Sequence, residues 1–416
     1  MNASLKKLFA TTGLRLSGVV LQTLVLMFVG RVAGPAGVGA LQVFLTWTCS
    51  FGEGAAAGLP TQAMRKLATM NDDRSAAWGF LLAAAQRMTL IWLGISGLLL
   101  AAWQLGFLTS VTSLLLLTLS IYCFALYRIA SDSLKAFKDV DFSVLVESSL
   151  PPAMAGAAIL ALYWFALPLS INAVLGCFSL GFFATALVIV LRLMKLLGKQ
   201  QRSHSNSLRW RDHSPFWVSA IVSISFLNLP FFVLPYFAEL QEVGAFALAF
   251  KLLNIATTIL LLLGAVFGPK FARLTQQQDY EAARSMLVLS RKLSIAAFLP
   301  IGLLMTLGFP FIHPWFGSGF ESGMGFLTIL LVGQLVNAAT GLSGQFLNMA
   351  GAGAVEMKVQ ISAVLFALAM TPIAGTLGGA TGIAVVYSFT VILRSLGSLW
   401  FANRILEPRL GLALPA

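Results

Sequence analysis

Positive charges alternate with long apolar segments along the whole chain. About twelve runs of roughly 20 apolar residues follow one another, each long enough to cross a hydrocarbon core as a helix. All but two of the 27 Lys and Arg residues lie at every second break between these runs. Short loops rich in Lys and Arg stay on the cytoplasmic side of a membrane. The pattern therefore predicts a multi-pass membrane protein with both termini in the cytoplasm.

The apolar runs are continuous and lack the alternation of barrel strands, so we expect an all-α integral membrane fold. The predicted spans cover residues 11–31, 38–59, 78–102, 109–129, 146–166, 169–192, 216–238, 243–267, 293–312, 324–349, 356–378 and 380–402. The longest polar stretch, 197–214, is basic and rich in Ser. We interpret it as a cytoplasmic linker between two six-helix lobes, residues 1–196 and 215–416.

Composition excludes several other classes of protein. The chain is 58% hydrophobic and 10% charged, whereas soluble domains carry about 25% charged residues. We attribute the net charge of +12 to topology and to attraction for anionic lipid headgroups rather than to nucleic acid. Cys49, Cys123 and Cys177 all fall inside predicted spans, which gives no disulfide framework or metal spacing. No cofactor is expected.

A weak internal repeat favours two similar lobes. An offset of 205 residues places the Val-Gly-Ala at 38–40 on the Val-Gly-Ala at 243–245. Six spans per lobe is an even number, so both lobes would enter the membrane from the same side as a parallel repeat. Two such lobes allow alternating access by rocking, with substrate bound where the lobes face each other near the midplane.

Two charges lie deep in predicted spans, where each costs roughly 2.5–3.5 kcal/mol on the more lenient scales. They are Glu53 in the second span and Lys251 in the eighth. Thr46 shares a helix face with Glu53, and Asn254 shares one with Lys251. The pair has two main interpretations: a buried salt bridge between helices, or a cleft role in anion binding or gating. Lipid-facing snorkelling of these charges is a third.

Further polar residues extend this set of candidates. Arg15, Gln22 and Arg31 could form a polar track along the first span, although the arginines could equally snorkel to an interface. Gln334 and Asn337 in the tenth span could line a cavity or join helices. Asn228 accompanies two prolines in the seventh span, which suggests a kink, and Asn228 and Thr46 are further candidates for lining the cavity.

Three arginines lie in the inner halves of their spans, and for these the sequence favours the inner interface over the cavity. They are Arg87, Arg128 and Arg394.

Motifs that are missing from the sequence narrow the function. The chain has no Walker-type phosphate loop, no H-E-x-x-H and no G-x-S-x-G. The predicted outer loops are too short to present the catalytic groups of a membrane polymerase or ligase. The acidic-basic loop signature of major-facilitator carriers is absent from the break after the second span. We therefore expect a transporter rather than an enzyme.

The segment at residues 30–68, GRVAGPAGVGALQVFLTWTCSFGEGAAAGLPTQAMRKLA, resembles the polysaccharide transporters of the multidrug/oligosaccharidyl-lipid/polysaccharide exporter superfamily. GPKFARL at 268–274 and GGATGIAVVYSFTVIL at 378–393 resemble the matching places in the second half. The resemblance implies a MATE-like fold and a Wzx-type flippase. Such proteins move undecaprenyl-pyrophosphate-linked oligosaccharide to the outer leaflet of the bacterial inner membrane, for O-antigen and lipopolysaccharide or related glycans.

The resemblance also implies a cationic cleft for the lipid-linked glycan. Lys251 matches a basic position often found in span eight, whereas Arg15 and Arg31 fit only the general cationic character of span one. We expect Gln22 and Asn254 to join them, and Glu53 to serve gating or ion coupling. Membrane lipids are expected partners, and a polysaccharide polymerase complex is a further candidate partner. The alternative is an ion-coupled multidrug antiporter of the same fold, which would favour several cavity acids.

Overall fold

The computed structural model describes residues 3–69, 74–104, 110–198, 217, 221, 224 and 228–409, with residues 3–12, 14–16, 68–69 and 408–409 described by their backbone only. These residues are almost entirely helical, which confirms the all-α membrane fold. Within them, nine helices are long and apolar enough to cross a membrane.

The α-helices run in chain order from α1 to α11. Their bounds are α1 Ala3–Ala56, α2 Leu59–Thr69, α3 Arg74–Gln104, α4 Val111–Ala136, α5 Val140–Trp164, α6 Ile171–Leu197, α7 Leu240–Gln276, α8 Tyr280–Ile312, α9 Gly323–Thr340, α10 Ser343–Met349 and α11 Gly353–Arg409. Most helices extend beyond the apolar runs at their predicted cytoplasmic ends. Residues 228–233 are also helical.

Two of these helices each contain two membrane spans. The 54 residues of α1 would reach about 81 Å at 1.5 Å per residue, far more than the ~30 Å hydrocarbon core. Gly34 breaks α1 with φ 64°, and Gly379 breaks α11 with φ 54°. Only glycine adopts this left-handed geometry without steric cost. Both breaks fall at predicted short outer loops, so eleven of the twelve predicted spans have a helical counterpart among the described residues.

The tenth predicted span is not one continuous helix. Gly341, with φ 67°, separates α9 from the short α10. The amides that the sequence places at helical spacing along residues 334–348 therefore divide between two helices. In the seventh predicted span, helical geometry ends at Val233 and a 3₁₀ turn follows at Leu234–Tyr236. Pro235 lies in this turn, at the break that the prolines suggest.

The chain forms two compact units. Unit 1 contains the described residues up to Ala33 and those between Ala40 and Ile224; unit 2 contains Gly34–Gly39 and the described residues from Asn228 onward. Apart from Leu197 and Gly198, the predicted linker lies outside the described residues. In unit 1, α4 packs against α2, α5 and α6. In unit 2, α9 packs against α7, α8 and α11.

Close backbone packing in unit 2 depends on small residues. A Cβ at Gly244 in α7 would overlap the carbonyl of Pro35, and a Cβ at Gly39 would overlap the carbonyl of Leu240. Small residues allow helix backbones to approach closely in a membrane, where apolar burial supplies little driving force. The Val-Gly-Ala at 243–245 is therefore part of a tight contact.

Candidate functional site

The first concentration of charge lies in unit 1, around Arg128. Its Nε donates to Glu53 Oε1 at 2.7 Å, and its Nη1 donates to Glu147 Oε1. The three side chains are between 16% and 24% exposed. One guanidinium on α4 thus joins carboxylates from α1 and α5. Shared charge-assisted hydrogen bonds of this kind are stronger than neutral ones, so the cluster fixes three helices to one another.

The cluster continues toward the end of α4. Lys135 Nζ donates to Glu147 Oε2 at 2.9 Å and to Asp132 Oδ1 at 2.7 Å. Ser131 Oγ also donates to Glu147 Oε2 at 2.8 Å. Glu147 therefore accepts hydrogen bonds from three different residues. Three carboxylates share two cations in this network, which gives it one net negative charge.

A cavity of about 420 Å³ opens beside this network. Its walls include Glu53, Arg128 and Glu147 together with Phe124 and Tyr127. Both carboxylates that hold the guanidinium are therefore within reach of a small ion or of water. The arrangement can act as a fixed helix anchor or as a place where protonation of a carboxylate releases the guanidinium.

This geometry changes the sequence interpretation of several residues. The sequence analysis treats Glu53 and Lys251 as a pair of deep charges. In the structure, Glu53 forms an ion pair with Arg128. The structure also places Arg128 in a network with two carboxylates inside unit 1. The sequence does not point to Glu147, because this residue lies at the start of a predicted span. Lys135 and Glu147 are opposite charges on either side of a turn between two apolar helices. This pattern in the sequence could have indicated their ion pair.

The second concentration of polar groups is a cavity of about 710 Å³ in unit 2. This volume lies within the range of roughly 300–1,000 Å³ that ligand pockets occupy. Helices α7, α9, α10 and α11 supply its walls. The polar lining residues are Asn254, Thr257, Thr258, Gln334, Asn337, Gln345, Tyr387, Arg394 and Ser395. No Asp or Glu occurs among the described residues that line it, and Arg394 is the charged one.

Arg394 is held from outside the cavity by an acid. Its Nη2 donates to Glu356 Oε1 at 3.3 Å. Glu356 lies in the first turn of α11, and only 3% of its side chain is exposed. Ser398 Oγ donates to the other carboxylate oxygen at 2.7 Å. The sequence favoured the inner interface for Arg394, but the structure places it in the cavity wall with a buried partner.

The amides of the cavity are connected to one another. Asn337 Nδ2 donates to Gln334 Oε1 at 2.9 Å, and Ser395 Oγ donates to Asn337 Oδ1 at 2.9 Å. Gln345 instead joins helices, because its Nε2 donates to the carbonyl of Gly264 at 2.7 Å. The two interpretations of the amides thus apply to different residues. Gln334 and Asn337 line the cavity, as does Asn254, whereas Gln345 also bridges α10 and α7.

The other predicted site residues are more scattered. Lys251 is half-buried in α7 and does not line the cavity of unit 2. Thr46 is buried and accepts a hydrogen bond from Gln42 at 3.3 Å. The remaining ones lie in unit 1 or ahead of α7: Gln22 and Asn228 are half-buried, Arg31 is exposed, and the side chain of Arg15 lies outside the described residues. Among the described residues, no three His, Cys, Asp or Glu side chains gather as a metal site.

Comparison with solved structures shows the fold. An inward-facing multidrug resistance MATE family transporter of the MOP superfamily superimposes with a TM-score of 0.74 at 13% identity, covering 96% of this chain and 99% of that one. The chain has the fold of the MOP-superfamily transporters. No family model matches the sequence, and no curated protein matches it.

Two further MOP-fold structures are informative. The lipid II flippase MurJ, in an inward closed conformation, has a TM-score of 0.66 at 15% identity, covering 95% of this chain and 87% of that one. A MOP superfamily transporter from Pyrococcus furiosus, described by a reverse polarity of its binding pocket, has a TM-score of 0.60 at 14% identity, covering 96% of both chains. At 14–15% identity, both likenesses bear on the fold of this chain alone.

Proposed function

We propose that this protein is a flippase for undecaprenyl-pyrophosphate-linked oligosaccharide, such as an O-antigen or related repeat unit. It would carry the headgroup from the inner to the outer leaflet of the bacterial cytoplasmic membrane by alternating access. Membrane lipids would solvate the polyprenyl tail throughout. A polysaccharide polymerase complex would receive the product.

The observation that carries this proposal is the character of the cavity in unit 2. The described residues that line it offer amides, hydroxyls and Arg394 but no carboxylate. A site for cationic drugs needs negative charge to offset the desolvation of the ligand. A glycan instead needs many hydrogen-bonding groups, and a pyrophosphate needs cations or amides in a low-dielectric site. The lining therefore suits the headgroup of a lipid-linked oligosaccharide.

The predicted residues have distinct roles under this proposal. Lys251, Arg31 and Arg15 attract the pyrophosphate, and Gln22 and Asn254 supply hydrogen bonds to it. Thr46, Asn228, Gln334 and Asn337 line the path of the headgroup. Glu53 couples or gates the cycle through its contact with Arg128. The contact between Glu53 and Arg128 would supply the coupling step, namely transfer of a proton to the carboxylate and release of the guanidinium.

An ion-coupled multidrug antiporter is the second candidate, and a specific observation favours it. Three carboxylates of unit 1 share two cations beside a cavity. Such an excess of acid suits a cation. The flippase proposal assigns this network to coupling, whereas the antiporter alternative assigns it to the binding of the drug itself.

A deletion in the native host distinguishes the two candidates. Loss of a flippase should remove the surface glycan and leave sensitivity to cationic drugs unchanged, with recovery when the wild-type chain is supplied. Loss of an antiporter should increase drug sensitivity and leave the glycan in place. The second pattern would refute the proposed function.

A further inference from the structure

Arg394 lies on the face of α11 that borders the cavity of unit 2. It is seven residues after Tyr387, which lines the same cavity, and 34% of its side chain is exposed. Guanidinium presents five N–H donors in a planar fork that matches carboxylate and phosphate oxygens in pairs. A group of this shape at a cavity wall suits an oxyanion.

Glu356 controls how Arg394 is presented. It is a buried carboxylate that does not line the cavity. Its Oε1 lies 3.3 Å from Arg394 Nη2, which is longer than the 2.7 Å between Arg128 Nε and Glu53 Oε1. Ser398 holds the carboxylate at 2.7 Å from the next helical turn. Glu356 thus orients the guanidinium from behind the cavity wall, while 34% of the Arg394 side chain stays exposed.

The backbone makes room for this acid. A Cβ at Gly344 would come 2.7 Å from Glu356 Oε1. Real Cβ atoms do not approach an oxygen so closely, so any larger residue at position 344 would displace the carboxylate. Gly344 also lines the cavity. The cavity wall at this point is therefore thin enough for the acid behind it to reach Arg394.

Beside Arg394, a ladder of three hydrogen-bonded side chains, Gln334, Asn337 and Ser395, lines the cavity. Ser395 donates to Asn337, and Asn337 donates to Gln334, each at 2.9 Å. These bonds use the oxygen of Gln334 as an acceptor, so its Nε2 is the donor end of the ladder. Asn254 and Thr258 of α7 line the same cavity. Fixed donors and acceptors at this spacing suit the hydroxyl groups of a sugar.

We propose that the cavity of unit 2 is a binding site for an oxyanion attached to a hydroxyl-rich chain. Arg394, positioned by Glu356, binds the oxyanion, and the ladder of Gln334, Asn337 and Ser395 binds the neighbouring hydroxyls. This inference rests on the proposed function and identifies the part of the headgroup that unit 2 selects. The oxyanion has two sources with the same chemistry: the carboxylate of an acidic sugar, or the phosphate next to the first sugar.

The test measures equilibrium binding of three soluble probes to the purified full chain in nanodiscs. The probes are trigalacturonic acid, the same trisaccharide with its carboxyl groups reduced to alcohols, and the reduced trisaccharide carrying a 1-phosphate. We expect one or both anionic probes to bind about tenfold or more tightly than the neutral one, because hydrogen bonds between charged groups are the strong ones. The stronger anionic probe identifies the source of the oxyanion.

Variants assign the effect to the named residues. Arg394→Gln should abolish the preference for the anionic probes over the neutral one and keep the weak affinity for the neutral probe. Arg394→Lys keeps the charge without the fork, so it should retain only part of the preference. Glu356→Gln should reduce the preference, whereas Asn337→Ala should weaken all three probes. Lys358→Gln, at an exposed cation on the same helix, is the matched control and should behave as wild type.

Equal affinity for the three probes, or no binding of any of them, would overturn the inference. So would a preference that survives in a folded Arg394→Gln protein whose thermal unfolding matches wild type. The proposed function fails separately, in the deletion experiment, if surface glycan persists. If the purified chain prefers the anionic probes but the deletion strain still exports glycan, the binding site stands and the flippase assignment fails.

Discussion

Arg128 Nε donates to Glu53 Oε1 at 2.7 Å across 75 residues of sequence. This contact joins the end of α1 to the middle of α4 inside unit 1. Charges in a membrane interior are costly when isolated and are tolerated when they pair. The pair also borders a cavity, so water or a small ion can reach two charges whose burial is costly. Substitutions of Arg128 and of Glu53 therefore give the sharpest tests of unit 1.

Replacing Arg128 by Gln should destabilise unit 1. The change leaves Glu53 and Glu147 without their shared cation, and breaking a buried pair from one side costs up to about 3 kcal/mol at this partial exposure. Thermal unfolding in detergent should show a clearly lower Tm. Arg192→Gln is the control, because Arg192 pairs with Asp139 at 2.8 Å but is 40% exposed, and a surface pair contributes about 1 kcal/mol or less. Equal losses of Tm in both variants would contradict the account.

Glu53→Gln should leave the fold intact and change the coupling. Arg128 keeps its contact with Glu147 in this variant, so the loss of Tm should be smaller than in Arg128→Gln. A glutamine cannot release a proton, and substrate movement in vesicles should no longer respond to an imposed pH gradient. Wild-type dependence on the gradient would remove Glu53 from the mechanism.

Lys251→Ala should abolish glycan export while the protein still inserts in the membrane. The side chain is half-buried in α7, and its charge is one of the three that the proposal assigns to the pyrophosphate. Export is read as surface glycan in a complemented deletion strain, with the amount of protein in the membrane measured in parallel. Lys251→Arg keeps the charge and should restore most of the export. Unchanged surface glycan with Lys251→Ala would count against the cationic path.

Gly244→Ala should be strongly destabilising. Alanine normally favours a helix over glycine by about 1 kcal/mol, but a Cβ at this position would overlap the carbonyl of Pro35. Gly325→Ala is the control, because it is also a helical glycine of unit 2 and nothing lies within 4 Å of its Cβ position. The control should unfold at the wild-type temperature or slightly above it. A Gly244→Ala protein as stable as the control would show that the contact is not tight.

The sequence predicts the spans well because hydrophobic length is a local property. The short outer loops at 32–37 and 379 coincide with the backbone breaks at Gly34 and Gly379. The break at Gly341 is not predictable in this way, because the apolar run continues through it. At this break a Cβ would meet the stem of Arg291 at 2.5 Å, a contact that depends on the packing of two helices and not on local hydropathy.

Partners of the charged residues are harder to predict than spans. Position along a span suggests that Arg128 and Arg394 reach an interface, but each finds a carboxylate on another helical segment, 75 and 38 residues away. Such pairs depend on how helices pack, which a hydropathy pattern does not encode. Asn254, Gln334 and Asn337 do line one cavity. The roles of Lys251, Arg31, Arg15 and Gln22 stay predictions.

The most direct measurement of the central claim uses proteoliposomes that contain the purified chain and an undecaprenyl-pyrophosphate-linked oligosaccharide. A glycosidase added outside reaches only the glycan in the outer leaflet. The account predicts that wild-type protein makes nearly all of the glycan cleavable, whereas Lys251→Ala vesicles stop at the outer-leaflet fraction. Cleavage by wild-type vesicles that stops at the same level as in protein-free vesicles would contradict the claim that this protein moves lipid-linked oligosaccharide.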